Sequence, residues 1–71
     1  MFEKIKYLIG KPIGVHFKNG LSVSGVLCDV SDEEISIIEY LYQEKFIQRY
    51  YDVQMIQGIY MFPSCSDEYL N

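Results

Sequence analysis

The stretch that decides the fold is IGVHFKNGLSVSGVL, residues 13–27. On both sides of Asn19-Gly20, apolar residues alternate with polar or small ones. This period of two is typical of strands, in which successive side chains point to opposite faces. An Asn-Gly pair between two such runs is the strongest short-range signal for a β-hairpin, because both turn positions favour positive φ. The stretch therefore predicts two antiparallel strands joined by a tight turn, with Gly25 at a sharp bend of the second strand.

Three more strands are predicted after this hairpin. An acidic turn at residues 30–34 leads to a third strand at 35–42, and residues 43–45 form the next turn. A fourth strand follows at 46–53, a tight connection at 54–58 and a fifth strand at 59–62. Strands three and four carry apolar residues on both faces. One face is predicted to fill the core, and the other is predicted to meet the helix, a sister subunit or a partner. The alternative is that the extra tyrosines are isolated surface residues, which are common in folded proteins.

The N-terminal segment has a different period. Apolar residues at positions 2, 5, 8 and 9 have helical spacing, and Gly10 and Pro12 follow as stop signals. The segment predicts a short amphipathic α-helix. A helix this short is unstable alone, so we expect it to lie on an apolar surface of the strands.

The chain is long enough for one domain only, with 71 residues in total. We assign residues 1–63 to the domain and residues 64–71 to a polar, flexible tail. Domains of this size usually gain stability from disulfides, a metal or self-association. Cys28 and Cys65 have no partner at motif spacing and His16 is the only histidine, so no metal or cofactor is predicted and self-association is favoured.

This arrangement resembles the Sm-like family, whose members include bacterial host-factor RNA chaperones and the eukaryotic and archaeal Sm proteins. Gly25-Val26-Leu27 looks like the family's Gly-x-Leu in strand two, and residues 53–59 look like its second motif, a tight turn between strands four and five. Small spore-associated β-barrels of Gram-positive bacteria have a similar ending, and other SH3-like barrels share the general pattern. The resemblance, which covers about residues 2–63, implies a mainly β fold: a short N-terminal α-helix and a five-stranded, strongly bent antiparallel barrel.

The resemblance also implies an assembly. In the Sm-like family, strand four of one subunit pairs with strand five of the next, which occupies edges that otherwise invite aggregation. The chain is thus expected to form a homo-oligomer, as a ring of about five to seven subunits. The residues expected at the subunit interface are Ile47, Tyr51, Tyr60 and Phe62.

The family's RNA-binding loop has a different composition in this chain. Ser31 stands where the family has Asp, the Asn that should follow is absent, and Gln57 replaces the Arg of the second motif. The loop is acidic, and the net charge of the chain is −4. Negative charge opposes phosphate binding, so a protein partner is favoured over RNA. The residues expected to contact a partner or ligand are Asp32, Glu33, Glu34, Tyr50, Gln57 and Tyr60.

No catalytic constellation is recognisable. One Cys–His pair is the most that the chain could assemble, and no Gly-rich phosphate loop is present. The sequence has neither a signal-peptide core nor an apolar run near the ~20 residues of a membrane span, so a cytoplasmic protein without membrane contact is expected. We therefore predict a non-enzymatic interaction module that binds a protein through tyrosine-rich or acidic surfaces. The alternative is a homo-oligomeric ring that binds single-stranded RNA or a small nucleotide by stacking bases on tyrosines.

Overall fold

A computed structural model describes residues 5–62, and these residues form one five-stranded antiparallel sheet. The predicted tail, Cys65 and the first part of the predicted helix lie outside this range. The order of strands across the sheet is β4-β3-β2-β1-β5. The mainly β fold and its five strands are confirmed. The strand bounds are β1 Pro12–Phe17, β2 Ser22–Val30, β3 Glu34–Tyr42, β4 Lys45–Asp52 and β5 Ile56–Met61.

The turn of the first hairpin differs from the prediction in its geometry. β1 pairs with β2 so that Val15 faces Val23, as the alternation predicts. Only Gly20 of the Asn-Gly pair has positive φ, at 92°. The amide of Gly20 donates to the carbonyl of Phe17 at 3.0 Å, which leaves a three-residue loop that ends in a left-handed glycine. This is the second common class of hairpin turn, and it needs one left-handed residue instead of two.

The turn between β3 and β4 has the backbone conformation that we expected for the first hairpin, with positive φ at both turn residues. Tyr42 pairs with Lys45, so the loop contains only Gln43 and Glu44. Both residues have positive φ, at 48° and 64°. A two-residue hairpin of this kind favours Asn-Gly because side chains other than Gly, Asn and Asp are strained in the left-handed region. The second hairpin is therefore strained at its tip.

Relief of this strain should stabilise the protein. We expect the double substitution Gln43→Asn with Glu44→Gly to raise the free energy of unfolding by about 1 kcal/mol, because left-handed conformations cost L residues about 1–2 kcal/mol. Urea denaturation measures this change. Glu33→Gln, which removes one charge at the other end of β3, is the control. It should leave the free energy of unfolding within about 0.5 kcal/mol of the wild-type value. A lower midpoint for the double variant would contradict the turn assignment.

The core lies on one face of the sheet, here called the inner face. Within residues 5–62, β1, β2 and β3 supply six of the seven buried apolar side chains, and the connection after β4 supplies the seventh. β4 itself contributes none. The core residues are Ile13, Val15, Phe17, Leu27, Ile35, Ile37 and Val53.

The predicted N-terminal α-helix is not seen in the described residues. A 3₁₀ turn at Lys6–Leu8 takes its place, and Ile9 leaves the helical region with ψ of 129°. Gly10 follows with φ of 86°, which reverses the chain towards β1. The expected packing is still present in part, since Ile5 and Leu8 lie against the core.

The sheet is not closed into a barrel, which corrects the predicted closure. β4 pairs only with β3, and β5 pairs only with β1. The predicted tight connection at 54–58 is instead a 3₁₀ turn at Val53–Met55, after which β5 begins at Ile56. Asp52 caps this turn by accepting a hydrogen bond from the amide of Gln54 at 2.8 Å. Both edge strands of the sheet therefore have one unpaired side.

Candidate binding surfaces

The face of β3 and β4 that points away from the core, here called the outer face, carries exposed aromatic rings. Tyr40 and Phe46 face each other across the two strands with ring centroids 5.5 Å apart in a T-shaped arrangement. Tyr40, Phe46 and Tyr50 are each about 60% exposed. Outer faces of antiparallel sheets usually carry polar residues, so this group of exposed rings is a candidate interaction surface.

The acidic turn lies at the other end of the same hairpin. Asp32, Glu33 and Glu34 are exposed. The hydroxyl of Ser31 orders this turn by accepting hydrogen bonds from the amides of Glu33 and Glu34 at 3.3 and 3.1 Å. Glu34 and Tyr50 line a small cavity of about 110 Å³. The structure thus places Glu34 beside Tyr50, whereas Asp32 and Glu33 do not line this cavity.

The other predicted contact residues lie on β5, at the opposite edge of the sheet. The ring of Tyr60 lies 5.2 Å from the ring of His16 and 6.0 Å from that of Phe62. Gly14 of β1 provides the space for it, because a Cβ atom at this position would overlap the Tyr60 ring. Gln57 is also exposed on β5. Of the predicted interface residues, Tyr60 and Phe62 thus lie at the β5 edge of the sheet.

The other two predicted interface residues, Ile47 and Tyr51, lie on β4. Ile47 is 36% exposed. Tyr51 is half-buried, and its ring packs against Phe17 with centroids 5.0 Å apart. Tyr51 therefore faces the inner side of the sheet. Ile47, four residues earlier on the same strand, is more exposed.

The structure also contains a groove on the inner side of the sheet, which was not predicted from the sequence. It has a volume of about 450 Å³, within the usual range for ligand sites. Its lining residues are Phe17, Asn19, Leu21, Val23, Glu39, Arg49, Tyr50, Tyr51, Asp52 and Met55.

A polar network forms one wall of the groove. The hydroxyl of Tyr51 donates a hydrogen bond to Oε2 of Glu39. Nε of Arg49 lies 4.0 Å from Oε1 of the same carboxylate, and the Glu39 side chain is only 16% exposed. Burial, followed by the hydrogen bond to Glu39 and the negative charge of that carboxylate, raises the pKa of Tyr51 to about 12, although Arg49 acts in the opposite direction. Tyr51 therefore remains a neutral donor throughout the physiological pH range.

The raised pKa predicts a loss of stability in alkali. The pKa of Tyr51 in the folded protein is above the ordinary tyrosine value of 10.0, so the stabilisation linked to its neutral hydroxyl is complete below pH 10 and is lost as the pH rises towards 12. We expect Tyr51→Phe to lose less stability than the wild type between pH 9 and pH 11. Urea unfolding at the two pH values measures the difference. Tyr40→Phe is the control and should lose as much stability as the wild type does between the two pH values. An equal loss for Tyr51→Phe and wild type would contradict a raised pKa for Tyr51.

The residues that the sequence analysis missed are Glu39, Arg49 and the apolar residues of the groove. A signal for Glu39 was available, because it follows Ile35 and Ile37 at the spacing of the core face. A charge at such a position needs a partner, and the hydroxyl of Tyr51 and the guanidinium of Arg49 provide it. The groove itself had no signal, since its walls are brought together from four separate segments.

Two kinds of site are absent from the described part of the chain. Within residues 5–62, no three His, Cys, Asp or Glu side chains are placed to hold a metal ion. The same residues contain no helix that is both long and apolar enough to cross a bilayer. Comparisons with protein-family models, with curated proteins and with solved structures give no match for this chain.

Proposed function

We propose that the protein is a non-catalytic, homo-oligomeric interaction module that binds a protein partner through its tyrosine-rich or acidic surfaces. The observation that carries this proposal is the exposed group of Tyr40, Phe46 and Tyr50 on the outer face. Each aromatic residue offers roughly 150–250 Å² of contact area, and large aromatic patches are uncommon on monomers. Tyrosine and phenylalanine are also the side chains that protein interfaces favour.

The two unpaired edges of the sheet support self-association. β4 is eight residues long and has neither a proline nor a register shift after Phe46. β4 carries the charged residues Lys45, Arg49 and Asp52, whereas β5 carries none, and an unpaired edge without charges readily accepts another strand. By the Sm-like resemblance, β4 of one copy would pair with β5 of the next, which places Ile47, Tyr60 and Phe62 at the contact.

The charges favour a protein over RNA as the further partner. Residues 5–62 contain five lysine and arginine residues against seven aspartate and glutamate residues. Nucleic-acid affinity depends on cations that neutralise phosphates. A ring that binds RNA or a nucleotide on its tyrosines is retained as the alternative outcome of the test.

Native mass spectrometry of the untagged protein tests the proposal. We expect one discrete oligomer, and we expect Ile47→Lys to dissociate it, because a charge on an edge strand opposes strand addition. Ser24→Lys, an exposed change on the central strand β2, should leave the oligomer intact. A monomeric wild type at tens of micromolar would contradict self-association. An added mass that matches a nucleotide or oligonucleotide would favour the alternative.

A further inference from the structure

We infer that the groove binds a basic side chain, arginine or lysine, from an extended segment of the protein partner. This inference rests on the proposed function and names the partner's chemistry at one site. The groove offers apolar walls and a net negative charge among its lining side chains, which together match a long side chain with a cationic end.

The apolar walls suit the methylene stem of such a side chain. Leu21 and Met55 stand at the groove with 64% and 42% of their surfaces exposed. Val23 and the packed rings of Phe17 and Tyr51 also line it. Arginine and lysine bury their stems along apolar surfaces and hold their charged ends at polar groups. Aromatic faces add cation–π attraction for the charged end.

The polar groups of the groove favour a cation. Among the lining residues, Glu39 and Asp52 contribute two carboxylates and Arg49 one guanidinium, which is a formal net charge of −1. Within residues 5–62, Oε1 of Glu39 accepts no hydrogen bond, and its nearest cation is Arg49 at 4.0 Å. A guanidinium or ammonium group can therefore donate to Oε1 in a charge-assisted hydrogen bond.

The acidic turn extends this negative field. Asp52 lies directly opposite Glu34 in the pairing of β3 with β4. The amide of Val53 donates to the carbonyl of Glu33 at 3.0 Å, which fixes the turn beside the end of the groove. Further basic residues of the bound segment would thus lie near Glu33 and Glu34. Like-signed charges that line a cleft raise the rate at which an oppositely charged partner associates.

A pair of synthetic peptides tests the inference on the full chain. The first is acetyl-Val-Arg-Val-Arg-Val-amide, and the second carries citrulline in place of both arginines, which removes the charge but keeps the shape. We expect the arginine peptide to shift the NMR amide signals of Leu21, Arg49 and Met55. By calorimetry, we expect the citrulline peptide to bind at least tenfold more weakly.

Matched variants locate the charge that is recognised. Glu39→Gln keeps a hydrogen-bond acceptor for Tyr51 but removes the charge, and it should lower the affinity for the arginine peptide about tenfold. Glu44→Gln removes the same charge from the hairpin turn and should change affinity less than twofold. Leu21→Arg should abolish binding, because its own guanidinium can occupy the groove, while circular dichroism confirms that the variant is folded.

Four results would overturn the inference. These are equal affinity for the citrulline peptide, no effect of Glu39→Gln, shifts confined to residues 31–34, and binding of AMP in the groove without binding of the arginine peptide. Native mass spectrometry of the same samples separates this failure from failure of the proposed function. An oligomer that does not bind the peptide would refute the groove site alone. A monomeric protein that does not bind the peptide would refute both the groove site and the proposed self-association.

Discussion

Replacement of Gly25 by valine is expected to unfold the protein. A Cβ atom at this position would overlap the carbonyl oxygen of Ile38 and lie 2.6 Å from Cγ2 of Ile37. Neither neighbour can move easily, since one is backbone of the adjacent strand and the other is a fully buried core side chain. Overpacking of a core costs roughly 1–3 kcal/mol even where side chains can adjust. With a backbone atom in the way, we expect a loss of about 3 kcal/mol or more.

Gly58→Ala is the matched control for this prediction. Gly58 also lies in a strand, has an ordinary φ and has no atom within 4 Å of its added Cβ. Since alanine lowers the entropy of the unfolded chain, stability should be unchanged or increase by up to about 1 kcal/mol. Urea unfolding and circular dichroism at 25 °C measure both variants. A cooperatively folded Gly25→Val protein of wild-type stability would contradict the packing of β2 on β3.

The second large effect is expected for Ile37→Ala. Ile37 is fully buried and lies in the pairing between Leu27 of β2 and Arg49 of β4. Removal of a buried isoleucine to alanine typically costs 2–5 kcal/mol, because lost transfer energy adds to the cavity that remains. In a core of seven residues the neighbours have little freedom to fill such a cavity. We expect a loss near 4 kcal/mol, measured by chemical denaturation.

Ile47→Ala deletes the same atoms on the neighbouring strand and is the control. Ile47 is 36% exposed, so the loss in a dilute sample should stay below about 1 kcal/mol. If Ile47 lies in a contact between copies, its effect should grow with protein concentration, since association stabilises the folded state by mass action. Equal losses for the two variants at low concentration would contradict the assignment of the core to the inner face.

The local features of the fold could be predicted because they depend on neighbouring residues. The alternation around Asn19-Gly20 identified β1 and β2, and the two-sided apolar runs identified β3 and β4. The sequence analysis predicted that Gly25 is required because the second strand bends sharply there. The structure shows a different reason, the close approach of the Ile38 carbonyl, which depends on a strand more than ten residues away.

The features that could not be predicted depend on strand register. Glu39 and Arg49 meet only because β3 and β4 pair with Ile37 opposite Arg49. Leu21 joins them from a separate hairpin to form the groove. The prediction of a closed barrel was wrong for a related reason. The sequence pattern predicts that β4 and β5 exist, but it does not predict whether their edges pair with each other. Gln43-Glu44 was missed as a left-handed turn, since neither residue favours that conformation.

The absence of any buried side chain in β4 has a consequence for the dynamics of the molecule. Local opening free energy follows the apolar surface that an element buries, and β4 is attached mainly by its backbone pairing with β3. Its amide hydrogens should exchange with solvent through partial opening, while those of β1 and β3 require global unfolding. A strand that detaches while the core stays intact can exchange between copies of the chain, and the proposed self-association would then proceed without passage through the unfolded state.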